Sequence, residues 1–114
     1  MTRSEILDRA ETCVNGDRQN DYGTPERNFE TIADLWNAYI GEERFSPKDV
    51  AAMLILLKIA RIASGKKKDD NWIDIAGYAA CGGEIEDPRP FNDILTSAIS
   101  QTTPLDHIGT AIHN

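Results

Sequence analysis

An all-α fold, a compact helical bundle of about four main helices, is what this sequence predicts, and three observations predict it. Apolar residues recur at three- and four-residue spacing in segment after segment. Two hydroxyl-proline steps, Thr24-Pro25 and Ser46-Pro47, stand where helices would begin, and glycines stand where they would stop. No run of residues alternates in the way a half-buried strand requires.

Ile6, Leu7, Ala10, Cys13 and Val14 form the first apolar stripe, with Thr2 or Ser4 as its cap and Gly16 as its stop. The turn-forming stretch DRQNDYG (17–23) comes next. Thr24-Pro25 opens a second helix with the stripe Phe29, Ile32, Ala33, Trp36, Tyr39 and Ile40, ending at Gly41. Ser46-Pro47-Lys48-Asp49 repeats the start signal, and Asp49 stands where a carboxylate returns to the cap. From Val50 to Leu57 the next helix is apolar on nearly every side, so it belongs in the middle of the bundle or in a subunit interface. Gly65 ends it, and the lysines at 66–68 make a solvated connection that suits the helix dipole.

Asp69 or Asp70 is the expected cap of a fourth helix over 70–82, with Ile73, Ala76 and Ala80, flanked by Trp72, Ile75 and Ala79, as its apolar coverage. Gly77 permits close helix contact there, and CGGE (81–84) ends the helix. Pro88, Pro90 and Pro104 interrupt the remainder of the chain, in which 92–100 reads as a short helix. Two units are expected: a helical bundle over 1–85 and a C-terminal extension over 86–114 that is irregular or packs on a partner subunit.

A chain of 114 residues fits one domain, and 40% hydrophobic residues exclude compositional disorder. The net charge of −7 argues against duplex nucleic acid as a partner but leaves room for a small anion where the few bases cluster. Cys13 and Cys81 are expected as reduced, buried thiols, and without a Cys-x-x-Cys or Cys/His cluster no zinc site is expected. His107 and His113 have no matching ligands nearby. The N-terminal residues lack a signal peptide's apolar stretch, and the apolar run at 50–57 is far short of a membrane span. The expectation is a soluble protein without membrane contact, in the cytoplasm of the host cell if phage-encoded. Self-association as a dimer or tetramer is expected from the apolar third helix.

The charges that bear on function flank the connection at 64–68. Lys58 and Arg61, three residues apart, share one helix face; Asp70 and Asp74, four apart, share a face of the next, as do Asn71 and Asp74. A short connection makes the helices antiparallel and gathers these side chains into one patch. One reading is an interhelical salt-bridge network that only fixes packing, where exposed pairs contribute ~0–1 kcal/mol each. The other is a polar pocket in which the bases hold phosphate oxygens and the acids hold a base or sugar hydroxyl. Two cations interrupting an apolar helix favour the second, as does a loop supplying Arg18, Asn20, Asp21 and Tyr22. Trp36 and Trp72 read as core before they read as stacking platforms, and Glu30 and Asp34 as a solvated face before metal ligands. Neither a nucleophile elbow nor a phosphate-binding glycine loop is present in the sequence.

DRQNDYGTPERNFETIADLWNAYIG (17–41), SPKDVAAMLILLKIARI (46–62) and DDNWIDIAGYAACGGEI (69–85) closely resemble a family of small phage and prophage proteins. The order DYG, then K-x-x-R on an apolar helix, then an acidic helix bearing a Tyr, is similar to nucleotide-modification-associated phage domains. Those in turn resemble the MazG-like all-α NTP pyrophosphatases, whose E-x-x-E and E-x-x-D helices hold Mg²⁺. Here the matching positions read Lys58-Ile59-Ala60-Arg61 and Asn71-Trp72-Ile73-Asp74, so only Asp74 keeps its acid, with Asp70 beside it. Cations hold phosphates directly but not Mg²⁺.

The resemblance therefore implies a nucleotide-binding protein without that metal cluster and without a cofactor. Lys58 and Arg61 would grip phosphates; Asp74, Asp70, Asp21, Asn71 and Arg18 would contribute polar contacts, and Tyr22 or Trp72 a stacking face. A sponge for a nucleotide immune signal of the host is one use. A divergent Mg²⁺-dependent NTP pyrophosphatase built on Glu30, Asp34, Asp70 and Asp74 is the enzymatic alternative, and a phage accessory module that binds other proteins is the third.

Overall fold

The structure, a computed structural model, describes residues 1–16, 23–65 and 67–86. Four helices make up all the regular structure among them: α1 (Arg3–Asn15), α2 (Pro25–Ile40), α3 (Pro47–Ala63) and α4 (Asp69–Glu84). Three of the four starts are chemically capped. Thr2 Oγ1 accepts the Glu5 N–H at 3.1 Å, and Thr24 Oγ1 accepts the Arg27 N–H at 3.2 Å. At α3 the capping is reciprocal: Ser46 Oγ accepts the Asp49 N–H at 3.2 Å while Asp49 Oδ2 accepts the Ser46 N–H at 2.8 Å. Gly41 stops α2 in the left-handed conformation, with φ 78°, and donates its N–H to the Asn37 carbonyl.

The fourth helix departs from expectation at both ends. Lys68 holds its N-cap position without a side-chain bond, so Asp69 and Asp70 are not the cap. They lie in the first turn, where negative charge favours the helix dipole. The helix also continues through Gly82 and Gly83 to Glu84. Contact with α3 explains the extension: Lys48 Nζ donates to the Gly82 carbonyl at 2.8 Å, satisfying an end-of-helix acceptor.

Packing between α3 and α4 is the largest contact in the fold. It is antiparallel, with Lys48 and Ala51 facing Gly82 at one end and Lys58 facing Asp74 nearer the other. On its other flank α4 packs against α1, with Gly77 opposite Val14, while α2 packs on α3. The buried core runs across the junction: Phe29 and Ala33 from α2, Val50 and Ala51 from α3, Cys81 and Ile85 from α4 and its end.

Asn37 takes a core position on α2 that the apolar stripe does not announce. Its amide oxygen accepts the N–H groups of Arg44 and Phe45 at 2.9 and 2.7 Å, and its amide nitrogen donates to the Phe45 carbonyl at 2.9 Å. One buried side chain thereby folds the α2–α3 connection back on itself. It also explains why Tyr39, assigned to the stripe, is 92% exposed: two residues at about 100° each place it on the far side from Asn37. Trp72, expected in the core, is exposed because Asn71, Ile73, Gly77 and Cys81 occupy the inward side of α4. Cys13, expected to be buried, is exposed as well. Trp36 is half-buried, edge-on to Phe45 at 5.6 Å. The third helix does not reach the middle of the bundle on all sides: Val50 and Ala51 are buried, but Met53, Leu56 and Leu57 are exposed.

Asn37→Ala removes the acceptor of two loop N–H groups, and the expected loss is about 2–3 kcal/mol, read from chemical denaturation. Neighbouring glycines should respond in opposite directions. A Cβ on Gly82 would meet Ala51 Cβ at 2.9 Å, whereas one on Gly83 meets nothing within 4 Å. Gly83→Ala should stabilise by up to ~1 kcal/mol through helix propensity. Gly82→Ala should destabilise by about 1–3 kcal/mol, the cost of overpacking.

Candidate functional site

α1 packs on α4 and α2 on α3, and the end of α1 and the start of α2 border a common gap with the α3–α4 pair. The gap is a cleft of about 250 Å³. Its apolar walls include Val14, Phe29, Ile32, Leu54 and Ile73; its polar groups come from Cys13, Asn28, Asp74 and Tyr78. Asp74 and Tyr78 are four residues apart, so α4 presents both on one face. Phe29 lies against Tyr78 with ring centroids 6.2 Å apart at 56°, fixing an aromatic wall. Gly77 brings α4 against α1, since a Cβ there would lie 3.2 Å from Val14 Cγ1.

The charged group at the cleft is paired. Lys58 Nζ lies 2.8 Å from Asp74 Oδ2, with side-chain exposures of 12% and 30%. A pair this shielded is screened less by salt than a surface pair. Of this pair Asp74 lines the cleft, whereas Lys58, like Arg61, is not among the lining residues and adjoins the cleft only through Asp74. Cys81, on the cleft floor, is buried; desolvation pushes its thiol above the ordinary value, and the Glu84 carboxylate adds to the rise.

The patch predicted from spacing is thus only partly assembled. Lys58 and Asp74 meet, as antiparallel packing requires. Arg61 is exposed one turn further along, and Asp70 is exposed in the first turn of α4. Asn71 is buried. Trp72 lines a second opening, of about 420 Å³, with Ile62, Gly65, Lys67, Lys68 and Asp69, apart from the cleft. Glu30 and Asp34 are exposed on α2. No group of three or more His, Cys, Asp or Glu among the described residues is placed to hold a metal ion. Arg18, Asp21 and Tyr22 lie outside the described residues, although Gly23, next in the chain, lines the cleft. Spacing did not identify Phe29, Asn28, Ile32 or Cys13 as cleft residues. The signal for Tyr78 was present in its four-residue offset from Asp74.

Fold and cleft together define a small all-helical domain with a molecule-sized opening between its first two helices, edged by one ion pair. The chain belongs to the family described as a domain of unknown function, DUF6378, whose model matches residues 5–86. It is 51% identical over 84 residues to the gene 55 protein of Mycobacterium phage L5, across 74% of this chain and 54% of that protein. It is 42% identical over 84 residues to the gene 55 protein of Mycobacterium phage D29, across 73% of this chain and 55% of that protein. The chain therefore spans about half the length of the curated relatives it matches. No solved structure matches it. Among the described residues no helix is long and apolar enough to cross a membrane.

The two thiols should differ in reactivity. Brief alkylation near neutral pH, followed by peptide mass spectrometry, should modify exposed Cys13 at least about tenfold faster than Cys81. The raised Cys81 value also fixes a sign. Its contribution to stability is complete below the thiol's unfolded value and is lost as pH rises through the folded one. Alkaline destabilisation should accordingly be smaller in Cys81→Ala than in the parent.

Proposed function

We propose that this chain is a phage-type nucleotide-binding protein, with a base in the cleft between α1 and α2 and phosphates toward Lys58. The observation that carries this reading is the Lys58–Asp74 pair, shielded and 2.8 Å long, at the edge of an opening of about 250 Å³. Ligand pockets combine apolar walls with a few polar groups, and this cleft has that composition. Phe29 and Tyr78 offer aromatic surface to a flat ring. Asp74, Asn28 and Tyr78 offer hydrogen-bonding groups to base amines or sugar hydroxyls.

The volume is below the ~300–1,000 Å³ of drug-sized pockets, so it suits a base and part of a sugar, with phosphates at the mouth. There a phosphate oxygen can replace Asp74 as the partner of Lys58, and Arg61 stands one turn along the same side of α3. The order DYG, K-x-x-R and an acidic helix, by which the sequence resembles nucleotide-modification-associated phage domains and, through them, MazG-like proteins, would imply the same ligand class. Holding a nucleotide without cleaving it fits two uses: sequestering a nucleotide immune signal of the host, or serving phage nucleotide metabolism.

The test is to incubate the purified protein with a nucleotide panel, with and without Mg²⁺, and analyse the free fraction and the fraction released on denaturation. Intact nucleotide recovered only after denaturation is the expected result. Monophosphate with pyrophosphate would instead establish the pyrophosphatase, and neither retention nor turnover would leave a protein-interaction module. Lys58→Ala should weaken retention about 10–100-fold, the worth of one charge-assisted hydrogen bond, with helix content unchanged. A bound nucleotide should also slow alkylation of Cys13, which lines the cleft.

A further inference from the structure

The outward side of α3 is an uncharged strip. Met53, Leu56, Leu57 and Ile59 are 40–55% exposed on it, and Ala60 and Ala63 continue it. Of the helix's charges, Lys48 and Lys58 reach α4 and Asp49 closes the capping box, while Arg61, four residues after Leu57, is exposed at the strip's edge. Met53, Leu56, Leu57 and Ala60 fall at i, i+3, i+4 and i+7, the spacing that seats side chains between those of a facing helix. The strip is what remains of the all-round apolar character of α3 once Val50 and Ala51 have been buried against the other helices.

We propose that this strip is a homodimer contact, with α3 of one copy packed antiparallel on α3 of a second. Charge selects that occupant. Two copies carrying −7 each repel over most of their surfaces, but this strip is itself uncharged and the α3 charge at its edge, Arg61, is a cation, opposite in sign to the net charge of a second copy. A two-fold contact also sets each apolar residue against the same strip of the partner copy, so one row of side chains supplies both halves of the seam. Area sets the strength. From Met53 to Ala63 the strip is about 15 Å long, and half the girth of a helix makes it roughly 300 Å² per copy. Standard interfaces bury ≈ 800 Å² per partner, so the dimer is weak and reversible.

Sedimentation of the full chain over about 1–300 µM tests this. The mass should rise with concentration from 12.7 kDa toward twice that value. Leu56→Glu and Leu57→Glu, each at an exposed site, should weaken association at least about tenfold while leaving the circular dichroism and melting temperature of the monomer unchanged. A parent that dimerises equally well in both variants overturns the proposal. So does a parent that stays at 12.7 kDa throughout; if its Leu56→Glu variant also melts early, the strip is covered within the same chain, by residues 87–114. Retention of a nucleotide is read separately, so neither outcome decides the ligand.

Discussion

The closeness of α3 to α4 is the constraint on which the rest of this protein depends. Small residues permit it: Ala51 faces Gly82, and even one added carbon at Gly82 would sit 2.9 Å from Ala51 Cβ. Lys48 then reaches across to the Gly82 carbonyl, tying the start of one helix to the end of the other. With that end fixed and a short connection closing the other, the register is set, and Lys58 arrives opposite Asp74. A shift of one residue along either helix would rotate its side chains by about 100° and separate the pair. The ion pair is therefore a product of backbone proximity between alanine and glycine, some distance from where the charges themselves lie.

Helix positions were legible in the sequence because caps are local chemistry. Thr24-Pro25 and Ser46-Pro47-Lys48-Asp49 carry their hydrogen-bond partners within three residues, and the structure uses those bonds. Asp69 and Asp70 misled for a related reason. A carboxylate near a helix start reads equally well as a cap or as a first-turn charge, and only the backbone of Lys68 distinguishes them. Stripes were less legible than starts. Asn37 is polar by composition and central by position, because the loop N–H groups it satisfies come from residues seven and eight further on. No periodicity of apolar residues can register such a bond, and the error passed on to Tyr39.

For the candidate site, spacing gave the pair and missed the room beside it. Lys58 and Asp74 follow from two helix faces and an antiparallel turn. The cleft depends on how α1 and α2 are seated on the α3–α4 pair, which is a property of several helix contacts taken together. Arg61 shows the limit of sharing a face: three residues from Lys58, it is exposed where Lys58 is shielded, because three residues turn the helix by about 300° and leave Arg61 about 60° off the direction in which Lys58 meets α4. Membership of the DUF6378 family extends over 5–86, so the cleft-forming residues fall inside the shared domain.

The attachment of α1 has a mechanical consequence. It rests chiefly on α4, and α2 rests chiefly on α3, so the two sides of the opening are anchored to different helices. A molecule seated between them acts as a cross-brace, joining helices that rest chiefly on different parts of the floor. Such a brace stabilises the folded chain by RT ln(1 + [L]/Kd), about 2.7 kcal/mol at a hundredfold excess over Kd. Thermal denaturation of this small domain thus doubles as a gauge of occupancy for whatever the opening admits.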